Sequence, residues 1–342
     1  MDTHCGMSIE GAPGTNLGGC LRAAIAAPSL HNSQPWLFRV RDGRIDVLAD
    51  RTRQLALIDP DARELTISVG AAVLNLRVAI LARGRLPLLR LLPSPMEPDL
   101  LATVVLGPRA SGIGTARLLD RAIPQRRTNR RPFRDVAVPP EVVAELAAAA
   151  RAEDGGLTVL EPDLCGSVFD IVRIAEGRRR ADPAYLAELD RWTGDEPGRP
   201  DGILPAAYGP WPALRSVPLR DFGLVHPGRR RREARFEQEP TVVLLHTAGD
   251  GVREWLHGGQ ALERVLLTAT FRGVAATLMT QPLEIPQLRH LLNEQVAGRS
   301  VQAIIRLGYG PPSAPSPRRP LADVLVAAPA PSPAWTTGGS VR

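Results

Sequence analysis

Pro28-Ser29-Leu30-His31-Asn32-Ser33-Gln34-Pro35-Trp36 joins two apolar stretches that need only a turn between them. Upstream, Leu21 to Ala27 has a helical pattern stopped by Pro28. Downstream, Leu37–Val40 reads as a strand that turns at Asp42-Gly43. The connection nonetheless carries Ser, His, Asn and Gln and closes on an anchoring tryptophan. Polar groups set between apolar elements hydrogen-bond the backbone or a ligand. The segment is therefore a candidate binding loop; the alternative is a self-satisfied loop with His31 on the surface.

A second unusual run lies further on, Arg126-Arg127-Thr128-Asn129-Arg130-Arg131-Pro132-Phe133. A guanidinium fork pairs two phosphate oxygens at once, and a neighbouring hydroxyl can take a third. The run precedes a helix opening at Pro139-Pro140-Glu141, whose dipole would favour an anion if its start faced the site. Alone, such a cluster also suits an exposed basic loop.

Outward from these two stretches the chain alternates short strands and helices. Residues 1–20 read as a disordered tail. Ile45–Ala49 reads as a strand and Asp59-Pro60-Asp61 as a helix entry. Ile67, Ala71, Leu74, Val78 and Leu81 then mark one long helix stopped by Gly84. The strands Leu88–Leu92 and Ala102–Leu106 follow. Glu141–Ala150 is helical and Leu157–Leu160 extended. Residues 161–239 hold a helix at Leu164–Glu176 and then turn irregular, with Trp192, Trp211 and several prolines. Thr241–Thr247 reads as a buried strand, Leu262, Leu266 and Ala269 mark a second long helix ending at Gly273, and Ile304–Leu307 is the last strand. A Pro-rich segment, 311–320, leads to a tail over 326–342.

The two long helices match. Gly70, Ala72, Arg83 and Gly84 correspond to Gly259, Ala261, Arg272 and Gly273 at one offset of 189, and Leu37 corresponds to Leu157 at an offset of 120. The difference, 189 − 120 = 69, is extra chain in the second copy, and it falls after residue 160. The reading is two related α/β halves, 21–120 and 121–325, with an insertion at about 161–239 that forms a lid.

Composition narrows the function classes. The 342 residues suffice for two ordinary domains, and the 44% hydrophobic content supports a substantial core. The net charge of +6 raises nucleic acid as a partner, but all 42 basic residues are arginine and 36 acidic residues are interleaved with them. No nucleic-acid partner is expected. Cys5, Cys20 and Cys165 form no C-x-x-C, and the six histidines show no metal spacing. No signal-like start and no apolar run of membrane-spanning length stand out, so no membrane association and a cytoplasmic setting are expected.

Pro28-Ser29-x-x-Asn32-x-Gln34-Pro35-Trp36 together with Arg126-Arg127-Thr128-x-Arg130 resembles the FMN-dependent nitroreductase family. Asp59 to Thr66, Trp255-Leu256, Gly259 to Leu262 and Pro317-Arg318-Arg319-Pro320 resemble its Acg-like branch, so the likeness spans nearly all of 21–325. The resemblance implies an α+β nitroreductase-like fold. Ordinary members are homodimers whose two FMN sites each combine an arginine motif from one subunit with the loop of the other. Here the loop occurs only in the first half, its counterpart being Glu153-Asp154-Gly155-Gly156, and residues 1–20 contain no arginine. A fused pseudo-dimer with one site, monomeric because its dimer is internal, is the implication.

The resemblance also implies roles. Arg126, Arg127, Thr128 and Arg130 would hold the FMN phosphate and ribityl chain, with Arg318 or Arg319 closing on the phosphate. Pro28, Ser29, Leu30 and Asn32 would lie along the flavin ring, and backbone amides around Pro282, Leu283 and Glu284 would reach its N5 and O4 edge; Glu284 could instead cap the next helix. The partners would be NAD(P)H and a small acceptor such as a nitroaromatic or quinone. His31 could donate a proton or be structural. The competing readings are a flavin-sequestering protein with the ring covered by the insertion, and a basic globular protein without cofactor.

Overall fold

Residues 16–41, 43–213, 217–229 and 231–327 are described by a computed structural model. The first half contains α1 (Leu17–Ile25), β1 (Trp36–Arg41), β2 (Arg44–Ala49), α2 (Arg63–Ala82), β3 (Arg85–Leu91), β4 (Leu100–Arg109) and α3 (Gly114–Ala122). Next come α4 (Pro140–Arg151), β5 (Gly156–Val159), α5 (Pro162–Arg180), α6 (Pro183–Arg191) and the two-residue strands β6 (Trp211–Pro212) and β7 (Glu233–Ala234). The chain continues through β8 (Thr241–Thr247), α7 (Val252–Phe271), β9 (Ala275–Leu278), α8 (Pro286–Glu294) and β10 (Ser300–Gly308).

Two four-stranded antiparallel sheets result, ordered β1-β2-β4-β3 and β5-β8-β10-β9. Each places the first, second, fourth and third strand of its set side by side, with a long helix between the second and third. The two helices, α2 and α7, begin and end at the same offset, 252 − 63 = 271 − 82 = 189. They pack on each other through glycines. A methyl carbon on Gly70 would meet the Leu256 carbonyl, and one on Gly259 would overlap the Ile67 carbonyl. Ile67 and Leu256 are themselves 189 apart, so the contacts are reciprocal, as in an isologous interface.

The helix ends follow from local chemistry. Asp59 caps α2 by accepting the Glu64 and Leu65 amides at 3.0 and 2.8 Å. Gly84 and Gly273, at φ 78° and 70°, follow α2 and α7 in the left-handed region that glycine enters without steric cost. By length and composition α2 could cross a membrane, which the periodicity reading overlooked, but 89% of its apolar window is buried inside the protein. It is the core helix, enclosed by α1, the first sheet, α3 and α7.

The insertion is ordered over its described residues. Tyr185, Leu189, Trp192, Ile203, Tyr208 and Phe222 form an apolar cluster with Leu55 and Ile58 of the first half. Trp211 lies elsewhere, partly exposed with the Arg231 guanidinium 4.2 Å from its ring centre. Two expectations need correction. The segment read as a tail to residue 20 already contains the start of α1, because Leu17 and Cys20 are buried against the first core. The short elements α3, α6, β9 and α8 were not foreseen; nine residues or fewer carry too little periodicity to separate helix from loop. Cys5, most of the first tail and residues 328–342 lie outside the described residues.

Candidate flavin site

A cavity of about 270 Å³ opens between the two halves. The loop after α1 contributes Pro28, Ser29, Leu30, His31 and Asn32, and α2 contributes Glu64, Ile67, Ser68 and Ala71. From the other side come Arg126, Arg127, Thr128 and Arg130, then Leu262 of α7, Thr277 and Thr280 around β9, and Gln302 of β10. The insertion closes over with Ile203, Leu219, Arg220 and Phe222, and the C-terminal segment adds Ser316 and Arg318.

The loop holds an unusual backbone. His31, Asn32 and Gln34 have φ of 49°, 55° and 52°, the left-handed region that costs a non-glycine residue about 1 kcal/mol or more. Side chains on all sides hold it there. Gln34 N donates to Ser29 Oγ at 2.9 Å and Leu30 N to Ser68 Oγ at 3.3 Å. Asn32 Nδ2 donates to the carbonyls of Gly202 and Pro317, and Gln34 Nε2 to that of Pro200. Trp36, fully buried, anchors the exit into β1. His31 is buried with neither ring nitrogen bonded and Phe222 edge-on at 5.3 Å. Burial first, then Arg220 and Arg130, hold its pKa well below the usual value, so the ring is neutral at pH 7.

The arginine run lies along the β9 edge of the second sheet. Thr128 bridges to Ala276, Asn129 N donates to the Ala276 carbonyl at 2.8 Å, and Asn129 Nδ2 donates to the Pro311 carbonyl at 2.7 Å. This leaves the arginine side chains free to turn inward. Arg126 is buried and forms an ion pair with Glu263, Nε to Oε1 at 3.5 Å, without a hydrogen bond. Arg127 donates to the Arg126 carbonyl at 2.8 Å. Arg130 donates to the Ala207 carbonyl and sits over the Phe222 ring at 4.5 Å. Arg318 donates to Asn32 Oδ1 at 3.1 Å and to the Ala26 and Ala27 carbonyls.

These cations lack matching anions. Burial, with Arg126 and Arg127 close by, pulls the Arg318 pKa down to about 9, and burial with Arg220 pulls Arg130 down to about 10. Burial and then Arg126 also lower Arg127. Such depressed arginines mark positive charge packed against positive charge out of water. A dianion placed among them would relieve the strain, and the orphaned Arg126 Nε and Arg318 Nε mark unused donors.

Four of the site expectations need correction. Arg319 does not face the cavity: its guanidinium takes the Gln34 carbonyl, Asp50 Oδ2 at 3.2 Å and the Asp323 carbonyl, tying the C-terminal segment to the loop. Pro282, Leu283 and Glu284 form a buried turn behind the wall. Proline has no amide hydrogen, and the Leu283 amide is committed to the Thr280 carbonyl at 2.9 Å. Glu284 does not cap α8 either; its carboxylate is taken by Arg220 and by Thr280 Oγ1 at 2.9 Å. The start of α4 likewise lies off the cavity.

Sequence reasoning missed Arg220, Phe222, Ile203, Ser68, Glu64 and Gln302. The first three lie in an irregular insertion with no motif, and the last three are unremarkable residues of a helix and a strand. Among the described residues, no group of three or more His, Cys, Asp or Glu could hold a metal ion.

The nitroreductase family profile matches residues 123–309, beginning three residues before the arginine run. Two Mycobacterium tuberculosis proteins match nearly the whole chain. "Putative NAD(P)H nitroreductase Rv3131" is 33% identical over 89% of this chain and 89% of that protein. "Putative NAD(P)H nitroreductase acg" is 32% identical over 89% and 93%. Among solved structures, a Desulfitobacterium hafniense nitroreductase with bound FMN is 14% identical over 60% of this chain and 95% of its own, with a TM-score of 0.36. With the profile covering more than half of the chain and these relatives most of it, the protein belongs to the nitroreductase family.

Proposed function

We propose that this protein binds one FMN per chain in the cavity between its halves and transfers hydride from NAD(P)H to a small acceptor, a nitroaromatic or a quinone. The observation that carries this reading is the group Arg126, Arg127 and Arg318, buried at Arg126 and half-buried at the other two, which faces a cavity and has Glu263 as its one opposing carboxylate among the described residues. Forked guanidiniums without carboxylates suit a terminal phosphate. The sequence has no G-x-G-x-x-G fingerprint for a dinucleotide, which favours FMN over FAD.

Bound there, a flavin supplies the hydride relay, and the protein supplies position, electrostatics and access. Arg126, Arg127 and Thr128 would hold the phosphate end, with Arg318 closing from the C-terminal segment. The Pro28–Asn32 loop, fixed in its left-handed backbone, would offer a rigid edge to the ring. Phe222, Ile203 and the Asn32–Gly202 hydrogen bond would limit water at the reacting end. That cover also supports a second reading, a flavin-holding protein with poor access for acceptors. Because the α2–α7 contact is already reciprocal within one chain, no second copy is needed to complete the site, and a cytoplasmic monomer is the corresponding expectation.

Denaturing the purified protein and identifying the released flavin tests the cofactor. One FMN per chain is the expected result; only FAD, two FMN per chain, or no flavin bound even on titration overturns it. Anaerobic mixing with NADPH and with NADH then separates the two readings: rapid bleaching followed by reoxidation with a quinone supports the enzyme, and a flavin that neither reductant bleaches supports holding.

A further inference from the structure

Behind the arginine cluster, away from the cavity, lies Glu263 of α7. It is wholly buried, and neither carboxylate oxygen receives a hydrogen bond. Arg126 Nε, at 3.5 Å, carries the nearest opposing charge, and Arg318 also acts on it. From α2, the equally buried Asn75 amide lies beside the carboxylate and, after Arg126, helps to hold its titration down. This is a buried ion pair at 3.5 Å with no hydrogen bond between its partners, set beside a cluster of arginines.

A buried carboxylate stays ionised only while a neighbouring cation compensates it. Arg126 is that cation when the clamp is empty. A phosphate dianion in the clamp draws on the same guanidinium, and its own charge repels the carboxylate. The group best able to respond is Glu263, whose titration burial has already lifted to about 7 against the opposing pull of Arg126 and Arg318. The charged and titratable groups that act on it are Arg126 after α3 and Arg318 from the C-terminal segment, with the neutral Asn75 on α2 beside them.

We propose that Glu263 is the built-in counter-ion of the phosphate clamp, positioning Arg126 when the clamp is empty, and that binding of a phosphate ester dianion is accompanied by uptake of one proton at the Glu263 carboxylate. The balance is simple: the ligand enters as its dianion, a proton passes from solvent to a Glu263 oxygen, and no covalent bond of the ligand changes. The proposal rests on the FMN reading. Its sign follows from linkage: the loaded form holds more protons than the empty one, so affinity falls as pH rises through the titration of Glu263 in the empty protein.

The test is calorimetric titration of flavin-free full-length protein with FMN at pH 7.5 and 8.5, each in two buffers of different ionisation enthalpy. Wild type is expected to take up about half a proton more per FMN at pH 7.5 than Glu263→Gln, and to lose several-fold more affinity than the variant between pH 7.5 and 8.5, where the variant's own small loss comes from Arg318. Riboflavin, which lacks the phosphate, should bind wild type without the extra proton. FMN bound by both proteins with equal proton counts overturns the coupling alone; FMN bound by neither overturns the cofactor reading and this proposal with it. Should Glu263→Gln fail to fold, an infrared difference spectrum of wild type decides. A protonated-carboxyl band appearing on FMN binding supports the proposal, and its absence overturns it.

Discussion

The loop at 28–34 and its counterpart in the second half, Glu153-Asp154-Gly155-Gly156, solve opposite problems. The first carries neutral hydroxyl, amide and imidazole side chains, and leaves Arg126 and Arg127 without a hydrogen-bonded carboxylate. In the second, the buried Glu153 accepts Arg264 Nε at 2.8 Å with one oxygen and Arg77 with the other, while Arg77 also donates to Gln260. There is no open space beside it. A side chain at Gly155 would strike Ala261, and one at Gly156 would strike the His246 ring. One place must import its negative charge and the other carries its own. An arginine cluster therefore points to a ligand only after the carboxylates within reach have been counted.

The largest expected effect breaks the self-sufficient side. Glu153→Gln should destabilise the fold by about 3–4 kcal/mol in denaturant melts, since two partly buried guanidiniums lose their partner, while FMN affinity stays unchanged. A loss of FMN binding with intact stability would show that the two regions are not separate. Next comes the importing side. Arg126→Ala should weaken FMN binding by about 1.5–3 kcal/mol, the scale of a charge-assisted hydrogen bond, and also lower the flavin-free protein's melting temperature, because the buried Glu263 loses its compensating cation. Unchanged affinity would return the run to an internal structural role. The smallest effect sharpens the role of the cover. Phe222→Leu keeps apolar volume but removes the ring from Arg130 and His31, at a cost of about 1 kcal/mol in stability. Bulky quinones should then be reduced several-fold faster with FMN affinity nearly unchanged; no change in rate would mean that this ring does not limit access.

Much of the architecture was legible because its signals are local. The long helices announce themselves by period and by glycine stops, and the repeat by coincident glycines. Those glycines, Gly70 and Gly259, proved to be where the helices touch. The site was legible in part. Nine of the thirteen residues assigned to it line the cavity: Pro28, Ser29, Leu30 and Asn32 from the loop, Arg126, Arg127, Thr128 and Arg130 from the run, and Arg318. The other four, Arg319 and the Pro282–Glu284 turn, lie next to true wall residues. A displacement of one to four positions along the chain decides whether a side chain faces a cavity or the structure behind it.

What the sequence alone determined is the inventory and its order: the polar loop at 28–36, the arginines at 126–131, and two long glycine-stopped helices 189 residues apart. Only the tertiary structure decided which charges meet. Arg220 and Glu284 are 64 residues apart in sequence and share a buried, hydrogen-bonded pair, while Arg126 and Glu263, 137 apart, meet as an ion pair at 3.5 Å without a hydrogen bond. Arg318 reaches the loop carbonyls from nearly 300 residues away. Periodicity and motif record local backbone preference, which acts over a few residues. Electrostatic partnership depends on distance through space and on burial, and both exist only once the two sheets, the paired helices and the insertion have packed.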